Sequence, residues 1–541
     1  MRHRLGKLLA VLLLFAMTAA LFAAAYGQAP LFYSNQNQYL LHGLAQAGYG
    51  HLADDWLTNT ADPTPIFSSL VEWTCRLLPL EALHLWYVLV QGIYVAGLWG
   101  LFRSLTGPKV SWRVDAAFVA LAILIHASVW RWLSYRLLDW DYPYYLQGGL
   151  AGQYILGPVF QPSVFGVLLL ASVALFANDR PRLAALAAGL GVVLHTTYLF
   201  CAWFLVSGYA VQLLGEKRRR VAVETLGILL AFTLPVLGFA WWQFGPTDPT
   251  TFAEAQRILA HERIPHHCQA KLWFDEIAAF QIVWILGAIA LTWKTRLFPA
   301  LAVAAGLAVL LSSIQITTGS DALALLFPWR LSAILMPAAT AIYLANLVHA
   351  LRQWLDNGWA VSVLGTAAVL AAGAGLAIMA LGEGYQSSDE ELPMMDWVRR
   401  HSQPGDVYLL PIRVPKLAAT TRGSLSSDFK PIARKRSDAK IIPVDLQRFR
   451  LMTGTPIFVD FKSVPYKDTD VLEWRRRMED NQRFLELLLT GPAEILEEEL
   501  RQAGVTHVLL PTESPVVVAW PVVYRDAVYE VRWIPTGSES R

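Results

Sequence analysis

The sequence predicts a mainly α-helical membrane protein: a polytopic bundle of about eleven transmembrane helices followed by a C-terminal extracytoplasmic α/β domain. Three observations carry this. Of 541 residues, 55% are hydrophobic and only 16% charged, where soluble domains carry roughly 25% charge. Apolar runs near the roughly 20 residues that cross a hydrocarbon core recur up to position 381. Much of the charge then falls after Gly382, where short apolar runs alternate with amphipathic ones.

The basic start MRHRLGK precedes an apolar run over 8–26, which reads as a first span with a cytoplasmic N-terminus. Small residues in FAAAYGQA offer a signal-peptide cleavage site, but the run is longer than the h-region of a signal peptide, so an uncleaved anchor is expected. Further runs cover 80–102, 114–130, 159–177, 183–214, 221–244, 277–293, 297–313, 329–349 and 359–381. The run 183–214 is long for one span and basic at both ends, with Arg180 and Arg182 before it and Lys217 to Arg220 after it. It is therefore expected to be two short helices turning outside near His195. Arg103, Lys109, Arg113, Lys294, Arg296 and Arg352 then fall on inner loops, as the positive-inside rule requires. Arg131, Arg136, Arg257, Arg263, Lys271 and Arg330 fall outside, against the trend, where basic groups suit an anionic ligand.

An odd number of spans leaves the segment 382–541 outside. Its pattern predicts helices over 394–400, 471–489 and 494–502, and strands over 407–410, 457–461, 505–510 and near Val522 and Val528. Alternating helices and strands argue for a layered sheet. The net charge of +2 says little, because the charge is unevenly distributed, and no nucleic-acid partner is expected. Three cysteines exclude a disulfide scaffold, although Cys75 and Cys268 share the predicted outer side.

The candidate chemistry sits on the predicted outer loops. In the first, Asp54 and Asp55 precede Trp56; either carboxylate is a candidate general base, and the bland alternative is a helix cap at Asp55. In the second, Asp139-Trp140-Asp141 stands before Pro143, which disfavours helix. Extended Asp-x-Asp points both carboxylates the same way and offers hard oxygens to Mg²⁺ or Mn²⁺. Arg263, His266, His267 and Lys271 lie before the span starting at Ile277, and Arg330 opens another span. Arg263, His266 and His267 read as a wall for a phosphate or sugar, with an interfacial helix of solvated charges as the alternative, and Arg330 is placed for a lipid phosphate, with snorkelling as its alternative. A zinc reading of His266-His267-Cys268 lacks the usual ligand spacing. The run Lys430 to Lys440 reads as a solvated loop, with acceptor or headgroup binding as the alternative.

An acid in the long first outer loop, Asp-x-Asp in the next and an extracytoplasmic C-terminal domain resemble the GT-C superfamily of polytopic glycosyltransferases. The resemblance covers most of the chain as architecture, but only Asp54 or Asp55, Asp139 and Asp141 as motif. No WWDYG-type motif is found, which sets the chain apart from protein asparagine glycosylation. The resemblance implies sugar transfer from a polyprenyl-phosphate donor to a glycan, lipid or protein acceptor at the outer face of a bacterial inner membrane. Asp54 or Asp55 would then be the base, and Asp139 and Asp141 would bind metal or position the acceptor. Arg263, Lys271 or Arg330 would hold the carrier phosphate. The competing readings are a transporter or flippase for lipid-linked saccharides, and a non-catalytic membrane scaffold.

Overall fold

The computed structural model describes residues 2–107, 109–138, 146–381, 389–410, 412, 444–516 and 518–535. Among them, eight helical segments are long and apolar enough to cross a membrane: Leu5–Tyr26, Leu80–Thr106, Trp112–Ser134, Thr196–Gly215, Arg219–Phe244, Leu297–Thr318, Asp321–Ala350 and Gly358–Ala380. Three more apolar helices, Pro162–Ala177, Pro181–Leu194 and Glu276–Leu291, are shorter than a full span. A mainly helical membrane protein is thus what the chain forms, but only eight of the eleven expected spans reach crossing length. The difference lies where Pro and polar residues interrupt the apolar runs. Pro162 opens its helix only after the run 159–177 has begun and Pro181 opens the next, each at a position where a missing N–H costs nothing.

The run 183–214 does split, into Pro181–Leu194 and Leu199–Gly215 joined by a single 3₁₀ turn at Thr196–Tyr198. Helices begin at side-chain caps where the sequence supplies them: Ser111 accepts from the Val114 amide and Asp275 from that of Ala278. Exposed tryptophans mark two levels. Trp130, Trp241 and Trp242 stand at the end of the bundle that carries the C-terminal residues, and Trp112, Trp293, Trp354 and Trp359 at the opposite end. Such belts are where amphipathic rings sit in a bilayer interface. At that opposite end, Arg218 and Arg296 both pair with Asp179 and Glu216 and tie three helix turns together.

The stretch from Gln147 to Gly166 is the least regular part of the bundle and is almost entirely buried. Irregular backbone at membrane depth is tolerated only where its polar groups find partners inside the protein. Side chains from six other segments supply them. Gln281 Nε2 donates to the Gly148 carbonyl (2.5 Å), His267 Nδ1 to Ala151 (2.7 Å), Tyr26 to Leu156 (2.8 Å) and Gln36 Nε2 to Phe160 (3.1 Å). Tyr87 and Tyr198 hydroxyls take the Gly157 and Ser163 carbonyls.

The C-terminal residues form a four-stranded sheet of β1 (Tyr408–Leu409), β2 (His507–Pro511), β3 (Val522–Arg525) and β4 (Tyr529–Trp533), in the order β1-β2-β4-β3. β1 and β2 are parallel, and the other two pairs are antiparallel. Helices Leu392–His401, Asp468–Thr490 and Ala493–Gln502 match the amphipathic runs of the sequence. The expected strand over 457–461 is reduced to one bridge, Ile457 to Tyr408, because its backbone turns to meet the membrane half. All three cysteines are free, so Cys75 and Cys268 do not pair.

Candidate functional site

Asp55 and its neighbours bind the two halves together. Asp55 is fully buried. One of its oxygens accepts the Leu57 amide (2.9 Å), and the other accepts Arg450 Nε (2.9 Å) and the Ile457 amide (3.1 Å). Arg450, 2% exposed, also meets Asp460 at 3.0 Å, and Asp460 accepts the Ser463 amide at 2.5 Å. Around this triad, Gln38 exchanges two hydrogen bonds with Val464, 3.0 and 2.6 Å, and the His51 amide donates to Gly454 at 2.7 Å. Gly50 and Gly454 both have positive φ, and a Cβ on Gly50 would lie 2.3 Å from the Gly454 carbonyl oxygen, so only glycine fits this crossing. A carboxylate with its lone pairs taken by a guanidinium and two amides suits an anchor better than a base. Asp54, one residue earlier, is exposed at the end of the 3₁₀ turn Leu52–Asp54.

That docking completes a ring of basic and aromatic side chains. Tyr39 packs edge-on to His195 (6.1 Å between centroids), and His195 to Tyr198 (5.4 Å). Arg330 lies 5.1 Å above the Tyr198 ring and 5.7 Å from Phe327, which packs edge-on to His267. His266 and His267 are 4.0 Å apart, and Arg263 stacks 5.1 Å from Phe461 while donating to the Lys462 carbonyl. Tyr466 lies beside Tyr39 and Arg263 and closes the ring. The sequence read Arg263, His266 and His267 as one wall and Arg330 as a separate phosphate contact; the fold brings these four together. Lys271 stands apart, exposed on the short turn Ala270–Trp273. Asp139, Asp141 and the run Lys430 to Lys440 lie outside the described residues.

Positive charge dominates the ring, with Asp460 acting on Arg263 from beyond ion-pair distance. No carboxylate lies within ion-pair distance of Arg263 or Arg330 among the described residues, and Arg263 Nε is buried without a partner. Arg257, by contrast, is paired with Glu254 and Glu262. Burial pushes the Arg263 guanidinium down from its ordinary value. It pushes His266 far below the usual imidazole range and His267 down to about 4, with Arg263 and Lys462 adding repulsion to both. Both imidazoles are therefore neutral at pH 7. His195, which the sequence left as a turn residue, is 4% exposed, and its Nδ1 is buried without a partner. Buried cations lacking anions are costly unless something compensates them. The arrangement can accept an anion with several donors and an aromatic rim. Among the described residues there is no group of three or more His, Cys, Asp or Glu able to hold a metal ion.

Sequence reasoning missed Tyr39, Lys462 and Tyr466 at the ring, and Arg450 and Asp460 beneath it. Asp460 falls in the expected strand 457–461 and Lys462 just after it in FVDFKSVPY, and nothing in that pattern shows that Asn37 and Gln38 bind the stretch. A family described as a domain of unknown function, DUF6798, matches residues 433–481. The matched stretch includes Arg450, Asp460, Lys462 and Tyr466, so it is the part of the C-terminal half that docks on the first loop and closes the ring. No curated protein matches the chain.

Proposed function

We propose that the protein is an integral membrane glycosyltransferase of GT-C type, moving a sugar from a polyprenyl-phosphate-linked donor to an acceptor on the extracytoplasmic face of the membrane. The observation that carries this reading is the pair of guanidiniums, Arg263 and Arg330, set among neutral His266 and His267 without a carboxylate partner. A donor phosphate satisfies them by charge-assisted hydrogen bonds. The place also suits a lipid-linked anion, because the ring lies where membrane helices meet the C-terminal half. An isoprenoid tail can then stay in the bilayer while its head reaches the ring.

In this reading Arg263 and Arg330 stabilise negative charge as it grows on the departing phosphate. Lys462 adds a third cation from the C-terminal side, and Tyr466 and Tyr39 supply part of the aromatic rim. Asp55 holds that side in place through Arg450. The proton of the acceptor hydroxyl then goes to Asp54 or to the Asp139 and Asp141 pair, with Mg²⁺ or Mn²⁺ as the cofactor such a pair favours.

The test is binding and turnover by the full-length protein in detergent. Purified wild type should bind a polyprenyl phosphate and transfer sugar from its glycosylated form. Arg263→Gln and Arg330→Gln should each weaken phosphate binding roughly 10- to 150-fold, the loss of one charge-assisted bond of about 1.5–3 kcal/mol. Unchanged binding in both variants would sink the proposal. A transporter or flippase for lipid-linked saccharides is the second reading, favoured by the buried irregular stretch from Gln147 to Gly166, since broken backbone of this kind lines transporter sites. Movement of the lipid across vesicles with no glycoside product would select it.

A further inference from the structure

We infer that the helix Pro65–Leu77 is an in-plane foot, its outward face sunk in the bilayer interface at the end of the bundle that carries the C-terminal half. The helix has two apolar faces. Phe67, Val71 and Thr74, at i, i+4 and i+7, point inward and are buried. Phe67 packs 5.2 Å from Phe160 and 6.3 Å from Phe165, which fixes the helix against the irregular wall of the bundle. The second stripe, Ile66, Trp73 and Leu77 at i, i+7 and i+11, is exposed by 51%, 57% and 74%, and Leu78 continues it. A helix facing water would be polar there.

The charges agree with a lipid interface. The helix carries only Glu72 and Arg76, paired with each other at 2.8 Å. Arg76 lays its guanidinium 5.7 Å from the Trp73 ring and donates to the Gln46 carbonyl at 2.7 Å, so its head turns to the polar loop while its stem runs beside the apolar stripe. The chain then turns at Pro79 into the segment Leu80–Thr106, whose Leu85 is 69% exposed, so the stripe is continuous with the outer surface of a membrane span. Trp73 lies near the same bundle end as Trp130, Trp241 and Trp242. A second copy of the chain is the weaker occupant: the stripe offers on the order of 400 Å², against roughly 800 Å² per partner in a stable interface.

The experiment uses the full-length protein in nanodiscs of phosphatidylcholine and phosphatidylglycerol. Nitroxides are placed at Ile66→Cys, Trp73→Cys and Leu77→Cys in a background of Cys75→Ala, Cys201→Ala and Cys268→Ala, with Glu72→Cys as the polar reference. Collisions with oxygen should exceed those with a water-soluble nickel chelate at 66, 73 and 77, and the order should reverse at 72. Nickel access at the three stripe positions, or access to neither probe, would overturn the inference in favour of water or of a protein cover. Should the variants fail to fold, the unmodified protein decides the matter with a lipid-dissolved carbene photolabel. Insertion at Ile66, Trp73 and Leu77 is expected, and its absence from all three rejects the foot.

Discussion

Removing the charge of Asp55 separates anchoring from catalysis. In Asp55→Asn the two acceptor contacts to Arg450 and Ile457 are replaced by a neutral amide, and whichever way that amide turns, one donor meets another or one bond is lost. Breaking a buried ion pair costs about 3–5 kcal/mol because the partner charge stays buried. Asp460 remains 3.0 Å from Arg450, so the lower end applies, about 3 kcal/mol. At 1.4 kcal/mol per factor of ten, the population in which the C-terminal half lifts from the first loop should rise roughly 100-fold. Limited proteolysis of the folded protein reads that population, provided closing outpaces cleavage. Asp54→Asn, at an exposed carboxylate, should leave the cleavage rate within about two-fold, a change under about 0.5 kcal/mol. A double-mutant cycle of Asp55→Asn with Arg450→Met should return a coupling of about 1–3 kcal/mol. If Asp55→Asn leaves cleavage unchanged yet abolishes sugar transfer, the anchor argument is refuted and Asp55 is the base.

Other expectations follow from the same geometry. Gly50→Ala should loosen the same docking by more than about 2 kcal/mol, since it adds a clash with Gly454 to the roughly 1–2 kcal/mol of left-handed backbone, whereas Gly48→Ala, whose Cβ meets nothing within 4 Å, should cost only the backbone part; chemical denaturation in detergent compares them. The pH dependence has a defined sign. His267 is lowered from 6.5 to about 4 on folding, so the unfolded chain binds more protons in that window. Stability is complete above pH 6.5 and falls as pH drops toward 4, by up to about 3 kcal/mol, readable by thermal scans across that range. Sulfate, which does not titrate there, should bind more tightly at pH 5 than at pH 7, because the anion repays protonation of the imidazoles; calorimetry that finds no such trend would remove His266 and His267 from the anion site.

Much of the architecture was legible before any coordinates. The split of 183–214 could be read because Arg and Lys at both ends demand the same side, and the helices 468–490 and 493–502 because their apolar residues recur at helical spacing. The strand expected at 457–461 failed because its backbone serves two partners: the Ile457 amide is spent on Asp55, and only the Phe458 amide reaches the Tyr408 carbonyl. Arg263 and Arg330 stand out because cations on the wrong face need a reason, and His266 and His267 because they sit beside Arg263 in one polar loop.

What the chain determines by itself is therefore what short-range chemistry controls: which stretches are apolar enough for a membrane, where helices start, and which charges stand against the orientation rule. The tertiary structure decided the rest. Asp55 looks like a free acid in HLADDWL and becomes an anchor only when Arg450, 395 positions later, is folded against it. Lys462 and Tyr466 join the cation ring only because Asn37 and Gln38 hold their loop. Periodicity and local composition report a residue's neighbours within a turn or two, whereas the role of a carboxylate depends on which donors reach its lone pairs, and that is settled by chain segments hundreds of residues apart.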